Sequence, residues 1–173
     1  ESEGSVTFPA MSRDDPGRSV MFGEGFPRRA GRAKFTPARV TPPAEAPSED
    51  YPMILITGRQ LEHWHTGAMT RRASVLDQIE PAPTCSMHPR TLRRLGVEPG
   101  GQVRLTSRRG SVTVDARADR NVAEDCAFLP FAYVEAAANI LTNPTLDPWG
   151  KIPEFKYSAV RVEAASDKAV AAE

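Results

Sequence analysis

The sequence predicts a mostly β domain, a closed or nearly closed barrel of five or six short strands, preceded by an extended proline-rich arm. Three observations carry this expectation. Short apolar or alternating runs recur through residues 51–163, each bounded by Gly, Pro, Asn or Asp, which is the pattern of an all-β domain. Residues 1–50 hold Pro9, Pro16, Pro27, Pro37, Pro42, Pro43 and Pro47 and five of the twelve glycines. Proline locks φ and removes a donor, so neither a long helix nor a central strand fits there. The segments with helical spacing are brief and lie between strands.

In the arm, Gly23-Glu24-Gly25-Phe26-Pro27 predicts a turn and Ala33-Lys34-Phe35-Thr36 a short strand. Phe8, Phe22, Phe26 and Phe35 are more aromatics than a solvated linker carries, which favours an arm packed on a neighbour over a disordered tether. Met53–Thr57 is a continuous apolar run, expected as a strand buried on both faces and ended by Gly58. Residues 68–79 have helical spacing, with Met69, Ala73, Leu76 and Ile79 on one side. Thr84–Met87 follows as a strand. Arg90–Leu95 is a short helix with Pro89 at its first turn and Gly96 just past its end.

Beyond the Pro99-Gly100-Gly101 turn, Val103 and Leu105 alternate with Gln102, Arg104 and Thr106, and Val112, Val114 and Ala116 alternate on the return strand Ser111–Ala118. Arg108-Arg109-Gly110 joins the two, with Gly110 expected at a position needing positive φ. Ala127–Phe131 is a further strand, Val134–Ile140 a helical turn, and Tyr157–Val162 the last strand. The tail from Ala164 is expected to be loose.

Composition narrows the function. Twenty-two Lys and Arg balance twenty-two Asp and Glu, which argues against a general polyanion binder. No apolar run is long enough to cross a membrane. Two cysteines cannot build a disulfide scaffold or a four-cysteine metal site. The chain begins with Glu1 and shows no basic-then-apolar leader, so the expectation is a processed subunit or part of a larger polypeptide.

The segment densest in chemistry runs Thr57-Gly58-Arg59-Gln60-Leu61-Glu62-His63-Trp64-His65-Thr66-Gly67. It leaves a buried strand and enters a helix, a setting that suits an anion. Gly58 and Gly67 permit close backbone approach, Arg59 can fork onto two phosphate oxygens, and Thr57 and Thr66 add hydroxyls. His63 and His65, two apart, are expected to face one side of an extended loop. Arg59, Arg71 and Arg72 against Glu62 leave a local excess of positive charge. Two other readings stand beside this one: a zinc site from His63, His65 and His88, which would use every histidine in the chain, and plain surface packing.

The second segment spans Phe131 to Lys156. Asn139 and Asn143 can each donate to and accept from a base edge, Phe131, Tyr133 and Trp149 offer ring faces, and Lys151 and Lys156 supply charge. Its alternative is an ordinary pair of Asn-Pro and Asp-Pro turns. Cys85 and Cys126 are expected as buried structural thiols. No nucleophile with its base can be named, so no catalytic residue and no metal ligand is assigned.

These residues resemble a known family. Tyr51-Pro52, then Ile56-Thr57-Gly58-Arg59 and Leu61 through Arg72, are similar to the C-terminal dinucleotide-binding domain of molybdenum- or tungsten-dependent formate dehydrogenases, and nearly as similar to that of periplasmic-type nitrate reductases. Glu135 through Pro148 and Lys151-Ile152-Pro153-Glu154-Phe155-Lys156 favour the formate dehydrogenase branch. Gly31–Phe35 and Pro42-Pro43-Ala44-Glu45 resemble the segment that precedes the domain.

The resemblance implies a double-psi β-barrel over residues 51–163 that caps bis-molybdopterin guanine dinucleotide. Thr57 through Thr66 would embrace its phosphate and pterin groups, with Phe131, Asn139 and Lys156 as further contacts. It implies two-electron oxidation of formate to carbon dioxide, or the reverse. The metal-ligating Cys or selenocysteine and the iron–sulfur cysteines would lie on a catalytic partner chain or another region, with further electron-transfer subunits beyond it. No nucleic acid partner is expected, and the expected compartment is the cytoplasm, with the periplasm as the alternative. The matching part of a nitrate reductase, a free-standing zinc barrel and a purely structural assembly module are the competing functions.

Overall fold

The computed structural model describes residues 7–165. The chain forms two compact units, one ending at Thr41 and one starting at Pro42.

The first unit has turns but no strand among its described residues, so the strand expected over residues 33–36 is absent. Its own donors are spent on tight turns: the Gly25 N–H donates to the Phe22 carbonyl at 3.1 Å and the Phe26 N–H to Gly31 at 3.0 Å. Phe22 and Phe26 stack with ring centroids 5.0 Å apart. Phe8 and Phe35 stay exposed.

The second unit is a closed six-stranded barrel. Its strands are β1 (Met53–Gly58), β2 (Thr84–Met87), β3 (Gln102–Thr106), β4 (Ser111–Ala118), β5 (Cys126–Pro130) and β6 (Ser158–Ala164), in the order β1-β5-β2-β4-β3-β6. β1 pairs parallel with β5 and β2 parallel with β4; the other neighbours are antiparallel. The ring closes because β1 pairs with both β5 and β6, and alternation fills it: Val103 and Leu105, then Val112, Val114 and Ala116, point inward and are buried, while their neighbours face out. Leu55, Cys85, Met87, Leu129, Val160 and Val162 complete the core. β6 extends through Ala164 and the Ala165 N–H donates to the Gln102 carbonyl at 2.9 Å, so the expected loose tail is ordered that far; its remainder lies outside the described residues.

Two expectations need correction. The helix expected over residues 68–79 is a 3-10 turn at Thr70–Arg72 and a helix α1 at Ser74–Ile79, separated by Ala73 in an extended conformation (φ −89°, ψ 105°). The break throws the apolar stripe out of line, and Met69, Val75 and Ile79 are exposed. Gly110 does not take a positive φ. It is needed because a Cβ there would sit 2.5 Å from the Ile140 side chain. Helix α2 (Pro89–Leu95) ends as expected at Gly96, which is left-handed at φ 68°.

Candidate functional site

The parallel pairing of β1 with β5 creates the site. Gly58 and Pro130 are in register at the strands' C-terminal ends, and the Phe131 N–H donates to the Gly58 carbonyl at 3.2 Å. The two segments singled out in the sequence, far apart along the chain, therefore leave the barrel side by side. They enclose a cleft of about 530 Å³ lined by Thr66 from the first segment and by Phe131, Asn139, Thr142, Asn143 and Phe155 from the second, with Pro144, Leu146 and Pro153 completing it. Thr66 also borders a hollow of about 190 Å³ beside Tyr133 and Asn139, and one of about 340 Å³ beside Arg71 and Arg72. The His65 ring lies 6.3 Å from that of Phe131 and so also joins the two segments.

The interior of the first loop is a chain of hydrogen bonds. The His63 Nε2–H donates to the Glu80 carbonyl at 2.8 Å, and its Nδ1 lies 3.2 Å from the Thr70 hydroxyl. Thr70 in turn accepts the Trp64 N–H at 3.0 Å. The Tyr133 hydroxyl donates to the same Glu80 carbonyl at 2.9 Å and accepts from Gln60 Nε2 at 2.8 Å. His63 is 2% exposed and acts as a pin for the loop.

The expectation that His63 and His65 face one side fails. His65 takes φ 49°, and this left-handed residue ends the extended alternation. His63 turns inward, while His65 remains half-buried against Trp64. The zinc reading fails on the same geometry. Both His63 nitrogens are engaged, and the His88 Nδ1 accepts the Arg90 N–H as the cap of α2. His88 also follows Met87, which pairs with Ala127 near the far end of β5. Among the described residues no three His, Cys, Asp or Glu side chains converge as a metal site.

The remaining loop residues divide into inward and outward groups. Thr57 is fully buried, and its hydroxyl donates to the Phe155 carbonyl at 2.6 Å, so it braces the second segment and has no free proton to offer an anion. Gly58 is required by the protein itself: a Cβ there would lie 2.5 Å from the Phe128 ring. Gly67 takes φ 72°, and a Cβ there would lie 2.5 Å from the Ala132 carbonyl oxygen and 2.6 Å from the Arg71 stem. Arg59, Leu61, Trp64 and Thr66 are exposed, and Gln60 and Glu62 half-buried. Lys156 reaches back to the Thr57 carbonyl, 3.5 Å from its Nζ. Asn139 is exposed on the 3-10 turn Ala138–Ile140.

The sequence predicts Tyr133 as a stacking face. It is buried instead, with the Arg71 guanidinium 4.6 Å over its ring and the edge of His63 against it. Its role as the hub of the loop network was not read from the sequence; the available signal was a lone tyrosine among the alanines of residues 132–138. Asn143 is buried and donates to Tyr157 and Glu154, so it builds the wall of the cleft. Lys151 and Trp149 ride on a turn organised by Asp147, which accepts three backbone N–H groups, and Trp149 is 88% exposed there.

Charge follows the same division. Arg71 is neutralised by Glu135 at 2.8 Å and by Asp77, and these partners, Glu135 foremost, raise its pKa further. Arg59 and Arg72 carry no ion pair or side-chain hydrogen bond among the described residues. Among the described residues no carboxylate lines the 530 Å³ cleft. Every buried side-chain donor and acceptor described is satisfied internally, so what the cleft itself offers a ligand is Thr66, Phe131 and Asn139, with the His65 ring beside Phe131; Arg59 and Lys156 are exposed on the adjoining loops and are not among the residues that line it.

The chain matches the Molydopterin dinucleotide binding domain over residues 53–159. It is 38% identical over 158 residues to the F420-dependent formate dehydrogenase subunit alpha of Methanocaldococcus jannaschii, an alignment covering 91% of this chain and 24% of that protein. It is 33% identical over 163 residues to the assimilatory nitrate reductase catalytic subunit of Bacillus subtilis, covering 92% of this chain and 23% of that one. The chain thus spans about a quarter of the length of the curated relatives it matches. Acetylene hydratase from Pelobacter acetylenicus has the same fold at a TM-score of 0.60 and 16% identity, over 68% of this chain and 19% of that one. With the barrel and the matched residues in agreement, the chain belongs to the molydopterin dinucleotide binding domain family.

Proposed function

We propose that this chain is the cofactor-binding part of a formate dehydrogenase alpha subunit, and that its groove holds bis-molybdopterin guanine dinucleotide. The observation that carries the reading is the meeting of Thr66, Phe131 and Asn139 around one cleft free of carboxylates, with unpaired cations on the loops that form it. That donor set fits a dianionic dinucleotide with a flat heterocycle. Arg59 and Lys156 would neutralise phosphate oxygens, Asn139 would pair with a base or pterin edge, and Phe131 would cover a ring face. The two parallel strand pairs support the double-psi form of the barrel.

When bound, the cofactor supplies two-electron redox chemistry at a molybdenum or tungsten ion, whose Cys or selenocysteine ligand we assign to another region or chain along with the iron–sulfur clusters. This chain's own part is to orient the cofactor, exclude water from it and set its hydrogen-bonding environment.

The test is Arg59→Ala in the assembled enzyme. Loss of a charge-assisted contact costs about 1.5–3 kcal/mol, or ~10- to 100-fold in cofactor affinity. Undiminished retention of metal and guanine nucleotide would contradict the phosphate role. The second reading, a nitrate reductase, is favoured by the 33% identity to the Bacillus subtilis subunit; turnover of nitrate without turnover of formate would select it.

A further inference from the structure

The segment just before β1 takes no part in the reading above, yet Glu45 within it is one of the most fully engaged carboxylates of the barrel unit. Its side chain is 12% exposed. Oε2 accepts from Arg109 Nη1 at 2.6 Å and Oε1 from Arg109 Nη2 at 2.9 Å. Oε1 also accepts the N–H of Ala159 on β6 at 2.8 Å, and Arg108 stands 3.5 Å from Oε2.

Arg109, gripped from this side, spends its other donors on the Leu141 carbonyl, from Nε at 3.2 Å and Nη2 at 2.8 Å. Leu141 is buried and lies two residues from Asn139. Gly110, beside Arg109, packs against Ile140 of the same turn. The residue before Glu45 reaches a second stretch of the same segment. The Ala44 N–H donates to the Glu154 carboxylate at 3.1 and 3.3 Å, and Oε2 of that carboxylate accepts from Asn143 Nδ2 at 3.1 Å. Two consecutive residues therefore hold two stretches of the second segment, the one around Asn139–Asn143 and the one around Pro153–Phe155, that line the 530 Å³ cleft.

We propose that Glu45 and Arg109 are positioning residues for the groove: their fork sets where the Asn139 turn stands against the barrel, and thereby how firmly the dinucleotide is held and what surrounds its redox group. This rests on the function proposed above. The barrel is closed by its own strand ladders, so the pair is not needed to complete the sheet. What it adds is orientation. A planar guanidinium can satisfy a carboxylate and a carbonyl in fixed directions at once, which a lysine ammonium cannot reproduce.

The experiment compares Arg109→Lys and Glu45→Gln with wild type in the assembled enzyme, with Arg104→Gln, on the outward face of β3, as a control. Cofactor release under mild denaturant and the electron paramagnetic resonance signal of the metal are measured, together with thermal unfolding. The expected result is cooperative unfolding in both variants, release accelerated about 3- to 30-fold, a shifted resonance signal, and no change in the control. Should Glu45→Gln fail to fold, Arg109→Lys, which keeps the charge, carries the test. Release and signal unchanged from wild type, with at most a lower melting temperature, would overturn the positioning role while leaving the proposed function intact. A wild-type enzyme lacking the dinucleotide would overturn the proposed function itself.

Discussion

Replacing His63 by alanine should cost far more stability than replacing His65, although only Trp64 stands between them. His63 loses two hydrogen bonds, to the Glu80 carbonyl and to the Thr70 hydroxyl, each worth about 0.5–1.5 kcal/mol net. The Glu80 carbonyl keeps the Tyr133 hydroxyl, which limits that part of the penalty. The vacated ring leaves a cavity beside Tyr133, adding roughly 1–2 kcal/mol. The sum is about 3 kcal/mol. For a domain of this size that is a fall in Tm of about 6–12 °C. Among the described residues His65 makes no side-chain hydrogen bond, and its ring meets those of Trp64 and Phe131, so His65→Ala should cost less than about 1 kcal/mol. Its effect should show instead in cofactor retention. Thermal unfolding of the two variants side by side is the assay, and equal shifts in Tm would refute the division of the pair into an inner pin and an outer contact.

Three further outcomes follow from the packing and the charges. Gly67→Ala places a methyl group 2.5 Å from the Ala132 carbonyl at φ 72°, and should lose at least about 2 kcal/mol in equilibrium unfolding. Arg109, through its hydrogen bonds to the carboxylate, holds the Glu45 pKa below the ordinary 4.5. A depressed carboxylate stabilises the fold fully above its unfolded value and loses that contribution as pH falls through the folded one. Urea midpoints of wild type and Glu45→Gln should therefore converge on acidification below about pH 4.5, and a gap that stays constant into strong acid would contradict the pair. Burial pushes the Cys85 thiol up to about 12 and, foremost among its causes, the Cys126 thiol to about 11, so a thiol reagent at pH 8 should label neither until the chain unfolds.

The strands were legible because burial follows backbone pitch: Val103 with Leu105, and Val112 with Val114, announce an inner face without any knowledge of the partner. Their order around the barrel was not, since placing β5 between β1 and β2 depends on crossovers that no local pattern encodes. The helix expected across residues 68–79 had the right period, yet it breaks at Ala73, where Arg71 is drawn to Asp77 and Glu135 and the apolar stripe finds no barrel surface to cover. In the loop, residue types pointed correctly to dense polar chemistry but not to its direction. Whether Thr57 or His63 faces a ligand or a carbonyl depends on Phe155 and Glu80, far along the chain in one case and across a helix in the other. The engagement of Ala44 and Glu45 with the barrel was hidden for the same reason. Their partners lie 110 and 64 residues away, and a proline-rich stretch carries no periodicity to betray them.

The most direct test is the electron density of the assembled, cofactor-loaded enzyme around this barrel. A dinucleotide seated between Thr66, Phe131 and Asn139, with its phosphates beside Arg59 or Lys156, is the predicted result. A dinucleotide bound elsewhere in the enzyme, with this cleft turned to solvent or filled by a protein side chain, would contradict it.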